Sequence, residues 1–549
     1  MKIKVSDYLI KKLSNLGIKD IFGLPGDYNF NILDAVIQNP DTNWINCTNE
    51  LNAAYAADGY ARINGFGAVV TTFGVGELSA INGIAGAYAE NVPLVKIAGV
   101  PKTSAINLNL PLHHNFAQPD YYAFERIYSN VCATTAFLTE DNAKEEIDRV
   151  INTMIQTRKP VYIALPVDIC NHLININPNE NTFKTVKSDN ENLKTVINKI
   201  TNLVNNSKNP LIITDYLIKR FRLQNEMREF INKFNIKITS MIMGKGVINE
   251  NDPHYIGINH GKISDEDFIK NYDNSDLILC FGTLFSDLNT LGFIVKKDDR
   301  CRVIIQADYV IIDDEKFEDI FINDVIKGLL NSDIIQRKNA LAPVQTGYKD
   351  IETSNNPIKT DEIFPLLQNF LRPNDTVIIE TGIISFAGSK MKLKENSNYM
   401  SQTMWGSIGW ATPASFGAAM ADRTKRPVLF TGEGSHQLTM QEMANMFKYD
   451  IKPVILLLNN SGYTIERYLS NNPDDVFNDI TRWDYKKELE LFSCGKKFEY
   501  FNIKTSNELK NALNKAYDAQ KEGLVFIEIF TDKMDIPSTM HQAIEYVRK

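Results

Sequence analysis

The sequence predicts an α/β protein built from three doubly wound parallel-sheet domains, and three observations predict it. Short apolar runs alternate with stretches of helical periodicity along almost the whole chain, a pattern that implies βαβ units. At 549 residues the chain is too long for one hydrophobic core and has length for about three. Two polar stretches, near 177–192 and 331–357, divide it.

In the first domain, 1–180, strands are expected at 20–23, 44–47, 68–72, 94–98 and 161–165, with an Ala-rich helix from Leu51 to Arg62. In the second, 190–340, strands are expected at 210–214, 277–281 and 302–307. This central, Rossmann-like domain lacks a Gly-x-Gly-x-x-Gly after a strand, so it is assigned no nucleotide and read as a structural spacer. In the third, 357–549, strands are expected at 376–380, 427–431 and 453–458.

The net charge of −8 argues against nucleic acid or an anionic membrane surface as a main partner. The start, Met1 to Asp20, is amphipathic and has no apolar core of a signal peptide. Near the third-domain motifs the longest apolar run, Val454 to Leu458, is far too short to span a bilayer. Cysteines 47, 132, 170, 280, 301 and 494 show no paired spacing, which suits a reducing cytoplasm and no disulfide framework.

The sharpest signal lies in the third domain. The strand 427–431 leads into Gly432-Glu433-Gly434, expected as a tight turn, then an amphipathic helix over 438–450 and the strand 453–458, which ends in Asn459-Asn460-Ser461-Gly462. Ligands of open parallel sheets bind outside the carboxyl ends of strands. Glycines let the backbone approach phosphate oxygens. Glu433, Asn460 and the Gly462 carbonyl are hard oxygen donors suited to Mg²⁺.

This frame resembles the thiamine-diphosphate motif, with Glu433 where that family usually has Asp. The resemblance covers about residues 3 to 545. It is similar to 2-oxo-acid decarboxylases of the pyruvate, indolepyruvate and branched-chain type, and it implies a pyrimidine-binding, a central and a diphosphate-binding domain. It further implies cofactor contacts at Thr381, Gly382, Ser385, Gly434, Ser435, Tyr463, Thr464 and Ile465. The Gly406 carbonyl is implied to accept from the aminopyrimidine, and Ile408 to wedge the two cofactor rings into a V. For Glu380 to Phe386 two registers stay open: ungapped, Ile383 and Ile384 replace polar residues, and shifted by one, Ser385 restores the hydroxyl.

The first domain supplies the acid–base candidates. Glu50 ends a strand and opens the Ala-rich helix inside Asn49-Glu50-Leu51-Asn52-Ala53-Ala54-Tyr55, similar to the family's first-domain signature. By that resemblance it is the carboxylate that hydrogen-bonds the aminopyrimidine and activates the cofactor. Gly23-Leu24-Pro25-Gly26-Asp27 and the pair His113-His114 match the decarboxylases, and so does Glu466 in Gly462-Tyr463-Thr464-Ile465-Glu466. Asp27, His113, His114 and Glu466 are expected to manage protonation and aldehyde release. Asn115 to Asp120 depart from the family's usual Gly-rich loop.

Leu288, Ser385, Phe386, Ile465 and Leu469 are expected to line the substrate pocket. Leu288, and Ser385 in the ungapped register, replace aromatic residues of some pyruvate-specific relatives, so the expectation is a 2-oxo acid bulkier than pyruvate: branched-chain, aromatic or longer straight-chain. The alternatives are pyruvate itself, or a carboligase of the acetolactate-synthase type. Relatives of this family join their first and third domains across subunits, so a homodimer, and beyond it a dimer of dimers (a homotetramer), is expected.

Overall fold

The computed structural model describes residues 1–549 except 118, 178–182, 296, 339–340, 342–343 and 549. Parts of both predicted links, and Gln118 after the histidine pair, lie outside the described residues. The chain carries three α/β domains, one per large sheet, and forms two compact units. The first unit holds 1–186, 409–423 and 439–451; the second holds the rest.

The sheet of the first unit has six parallel strands in the order Asn43–Asn46, Asp20–Gly23, Gly67–Thr72, Leu94–Val100, Val161–Pro166 and Thr135–Phe137. Its inner strands are buried on both faces, which is why they read as continuous apolar runs rather than alternating ones. The strand Thr135–Phe137 and the antiparallel pair Lys2–Lys4 with Leu173–Asn175 escaped the sequence reading because three residues carry too little periodicity.

The helix Glu50–Asn64 starts where the Asn49 side chain accepts from the Asn52 N–H at 2.8 Å, and ends at Gly65 with φ +101°. Its small residues let the helix Ala411–Ala421 approach closely. A Cβ on Gly59 would stand 2.1 Å from the Ala414 carbonyl, and one on Gly417 would stand 1.8 Å from that of Ala56. The Arg62 side chain, 5% exposed, is paired beside this contact with Asp58 at 2.6 Å and Glu90 at 2.8 Å, and Trp410 Nε1 donates to Asp58 at 3.0 Å. Removing either acid would leave part of a buried charge uncompensated, a loss of about 3–5 kcal/mol.

The second unit carries two sheets. The central one runs Tyr255–Ile258, Lys237–Ser240, Pro210–Thr214, Leu277–Phe281 and Cys301–Ile305 in parallel, then turns antiparallel through Tyr309–Ile312 and Glu315–Glu318. The last sheet is parallel throughout: Asn398–Met400, Asp375–Ile379, Arg426–Gly432, Val454–Asn459, Leu524–Phe530 and Phe498–Ile503. Numbered along the chain, its strands follow the order 2-1-3-4-6-5, the same as the sheet of the first unit. Among the described residues no helix is long and apolar enough to cross a membrane.

Candidate active site

In the second unit the two expected motifs come together. The register Gly432↔Leu458 sets the ends of neighbouring parallel strands side by side. The strand runs through Gly432 and a helix, Glu433–Thr439, opens at once, so the tight turn expected at 432–434 is absent. The helix expected over 438–450 is broken by a 3₁₀ turn, Met440–Glu442, before Met443–Lys448. The break falls at Thr439, whose φ of −141° leaves the helical region and whose hydroxyl donates to the Gly409 carbonyl at 2.6 Å.

Glu433 is 4% exposed, and its Oε1 accepts from the Gly462 N–H at 2.8 Å. The longer glutamate arm is thus folded onto the Asn460–Gly462 turn. Burial pushes its carboxyl up to about 7, opposed by the Gly462, Ser461 and Asn460 amides and aided by the nearby charge of Glu528. Asn460 is 6% exposed. Gly462 has φ +146°, and a Cβ there would stand 2.1 Å from the Asn478 carbonyl, so the turn admits only glycine. Gly434 lies under the Tyr463 ring, 2.5 Å from where its Cβ would be. Ser435 and Thr464 are buried, Ile465 is half-buried against the core, and Glu466 and Leu469 are exposed on the helix Thr464–Leu469.

The turn after Asp375–Ile379 resolves locally. Ile383 and Ile384 are buried in the hydrophobic core, so neither faces an open site. Ser385 carries the hydroxyl of the first helical turn, and it donates to the Gly382 carbonyl at 2.8 Å. Gly382, with φ +124°, has open space where a Cβ would stand. Phe386 is packed in the same core, so it has no open pocket face. Thr381 donates to the Gln402 carbonyl at 3.0 Å. Gly406, φ +63°, faces Leu288 and Thr381, which lie 3.8 and 3.9 Å from its absent Cβ. Ile408 is half-buried. The second unit therefore gathers Thr381, Gly406 and Leu288 in one place, and Glu433, Gly434, Asn460, Gly462 and Tyr463 in another.

The first unit brings together the expected acid–base residues Asp27, His113 and His114. His113 Nε2 lies 2.8 Å from Asp27 Oδ2, and candidate ligand atoms of Asp27, His113 and His114 all fall within 4.8 Å of one another. Tyr28 stacks on His113 at 4.9 Å. The turn before Asp27 is held by Asn29, whose Oδ1 accepts from Gly26 N–H at 3.0 Å and whose Nδ2 donates to the Leu24 carbonyl at 2.9 Å. His114 has φ +65°, and its carbonyl stands 1.9 Å from where a Cβ of Gly74 would be. Two residues on, Glu50 Oε1 lies 3.2 Å from the corresponding point on Gly76. Glu50 and His114 thus flank the same turn.

Several supporting residues escaped the sequence reading. Glu528 takes Asn459 Nδ2 at 2.6 Å, and Arg467, buried, donates to the Ser461 carbonyl at 3.1 Å. Gln402 Oε1 accepts from Ser407 N–H at 2.9 Å and steadies the loop that carries Gly406. Lys96 and Glu77 lie fully buried near Glu50. The signal for Lys96 was available: a lone cation inside an otherwise apolar strand. The others are ordinary polar residues: Glu528 meets Asn459 from 69 residues away, and Gln402 and Arg467 bond to nearby backbone with no sequence motif to mark them.

Comparison with known families agrees with this layout. Residues 3–124 match the N-terminal TPP binding domain of thiamine pyrophosphate enzymes, 197–329 their central domain and 380–529 their C-terminal TPP binding domain. Pyruvate decarboxylase isozyme 3 of Saccharomyces cerevisiae is 36% identical over 553 residues, spanning 98% of this chain and 97% of the relative. The pyruvate decarboxylases of Kluyveromyces lactis and Hanseniaspora uvarum are each 35% identical with the same coverage. With all three domains matched and the relatives aligned end to end, the chain belongs to the thiamine-diphosphate-dependent 2-oxo-acid decarboxylases.

Proposed function

We propose that the chain converts a 2-oxo acid to an aldehyde and CO₂ without oxidation, with Mg²⁺ beside its thiamine diphosphate. The observation that carries this reading is the Asp27–His113–His114 cluster, an acid–base set of the kind needed to protonate a carbon and release an aldehyde. Bound, thiamine diphosphate supplies the nucleophilic carbon and the electron sink for the departing CO₂. Glu50 would hydrogen-bond the aminopyrimidine nitrogen and Gly406 its amino group. Thr381, Gly382 and Ser385 would meet the diphosphate, and Glu466 would join the acid–base set. The fit for a metal rests on Glu433: a buried carboxylate held against the turn that carries Asn460 and Gly462 makes an all-oxygen donor set of the kind Mg²⁺ takes. Aldehyde release across a panel of 2-oxo acids, with Mg²⁺ and thiamine diphosphate, tests this; no aldehyde from any member would refute it.

For the substrate we favour acids bulkier than pyruvate, because Leu288 faces Gly406 and Thr381 and Ser385 turns its hydroxyl back on Gly382. Pyruvate is the second reading, favoured by relatives that are themselves pyruvate decarboxylases. Comparing kcat/KM for pyruvate and 2-oxoisovalerate decides, and a strong pyruvate preference would overturn the first. We also propose a homodimer, each site taking Glu50, Asp27 and the histidines from one protomer and the metal turn from its partner. Exposed Val476 (86%) and Phe477 (63%) beyond the Glu466 helix support a covered surface there. Light scattering that finds only monomers would remove this arrangement.

A further inference from the structure

The stretch after the helix Thr103–Asn107 brings His113 and His114 onto the turn that carries Asp27, and the three side chains make a donor set unlike the proposed Mg²⁺ turn. That turn offers oxygen alone, whereas this cluster offers two imidazoles and one carboxylate. Oxygen sets suit Mg²⁺; imidazole suits Zn²⁺ and its neighbours Cu²⁺ and Ni²⁺. His113 Nε2 and Asp27 Oδ2 stand 2.8 Å apart, and one ligand atom from each of the three residues lies within 4.8 Å of the others. Ligand atoms about 2.0–2.1 Å from Zn²⁺ are separated by about 2.9–3.4 Å, so the close pair must open by about 0.5 Å and the widest close by at most about 2 Å. Imidazole χ2 has a broad well, so swings of that size are cheap.

Both segments are already held in place. Asn29 ties the turn of Asp27 to Gly26 and Leu24, and the His114 carbonyl packs against Gly74. Tyr28 Oη lies 3.3 Å from His113 Nδ1, and its ring stacks on the same imidazole at 4.9 Å. Burial pushes the Tyr28 hydroxyl up to about 12, aided by Asp27 and Tyr121, so it stays a neutral partner. A partner on the far ring nitrogen is what orients a metal-binding histidine. Here it occupies Nδ1 and leaves Nε2 for a cation. The His113 and His114 rings meet edge to face at 4.6 Å. The exposed side chains of Asp27 and His113 leave the remaining coordination positions to water. The reaction as read above uses no metal here.

We propose that Asp27, His113 and His114 form a second metal site, one that takes Zn²⁺ and stops the reaction when occupied. The step is a ligand exchange without electron transfer. The hydrogen shared by His113 Nε2 and Asp27 Oδ2 leaves to solvent, and a lone pair from each, with one from His114, passes to the cation. A cluster so occupied has no lone pair left at those atoms to take up or hand on a proton. The inhibition rests on the reading of these residues as the acid–base set; the binding does not.

The test is calorimetric titration of Zn²⁺ into the holoenzyme, loaded with thiamine diphosphate and a large excess of Mg²⁺ so that the cofactor's own cation is not displaced. Aldehyde release is followed in parallel. Wild type should bind one Zn²⁺ tightly per chain and lose turnover as it does, and a zinc-selective chelator should restore it. His114→Gln and Asp27→Asn should each weaken binding by at least about tenfold. His541→Gln, which alters an exposed histidine on the helix Ser538–Arg548, should leave binding and inhibition as in wild type. No tight binding in wild type, or binding as tight in His114→Gln and Asp27→Asn, overturns the proposal and leaves the decarboxylase reading standing. Binding lost in those variants while Zn²⁺-loaded wild type still turns over removes the inhibition, and the reading of the cluster as the acid–base set with it. If no 2-oxo acid yields aldehyde, the titrations still decide the metal site by themselves.

Discussion

The sheet of the first unit and the last sheet of the second share one strand order, yet their candidate residues differ in exposure. Both place their candidate residues at the carboxyl ends of strands, as open α/β sheets do. In the first, two of the proposed acid–base side chains stand in the open: Asp27 is 49% and His113 57% exposed. In the last, the proposed ligands are sealed: Glu433 is 4% and Asn460 6% exposed. The difference follows from the work each would do. Groups that exchange protons with a substrate must reach it, whereas a cradle for a diphosphate and a cation gains strength from exclusion of water. A shared topology therefore sets where a site can be, and local residues set what it does.

The largest expected effect breaks the first sheet and spares the last. Glu50→Gln should lower kcat by about 10²-fold or more while the cofactor still binds, measured as aldehyde release at saturating thiamine diphosphate. The converse is Asn460→Ala, which should weaken Mg²⁺-dependent cofactor binding by at least about tenfold, read by calorimetry. The raised carboxyl of Glu433 sharpens the contrast further. A proton competes with the cation wherever the pH lies below about 7, so Mg²⁺ affinity should fall by up to about tenfold per pH unit on acidification below that point and level off above it. A flat profile from pH 5.5 to 8 would exclude Glu433 as a ligand. The smallest effect is expected from Glu433→Asp, which should keep activity within about threefold, or tighten the metal, since the shorter acid still presents an oxygen. Abolished activity there would mean that the glutamate's fold onto the Gly462 amide is itself required.

Much of the first and last sheets was legible because strands buried on both faces read as unbroken apolar runs, as Val454–Asn459 does. The central sheet was less so. Lys237–Ser240 and Tyr255–Ile258 are short and partly polar, and the antiparallel strands Tyr309–Ile312 and Glu315–Glu318 follow no βαβ rhythm. The helix beyond Glu433 was misjudged because the sequence carries helical periodicity across Thr439, where a tertiary hydrogen bond to Gly409 takes the hydroxyl and the backbone leaves the helix. Phe386 was expected in the pocket as part of the stretch from Glu380; it lies on the helix Ile383–Lys390 and packs into the core.

By itself the sequence determined the family, the three sheets and the residue types at the strand ends, because those depend on local pattern and on spacing along the chain. The tertiary structure alone decided that Glu433 folds onto the Gly462 amide and that Asp27 meets His113. It also decided that a lysine lies buried in the strand Leu94–Val100 with its ammonium on Thr71. The reason is the same in each case: the energy of a buried or paired charge depends on partners brought near by folding, and no spacing in one dimension records their distance.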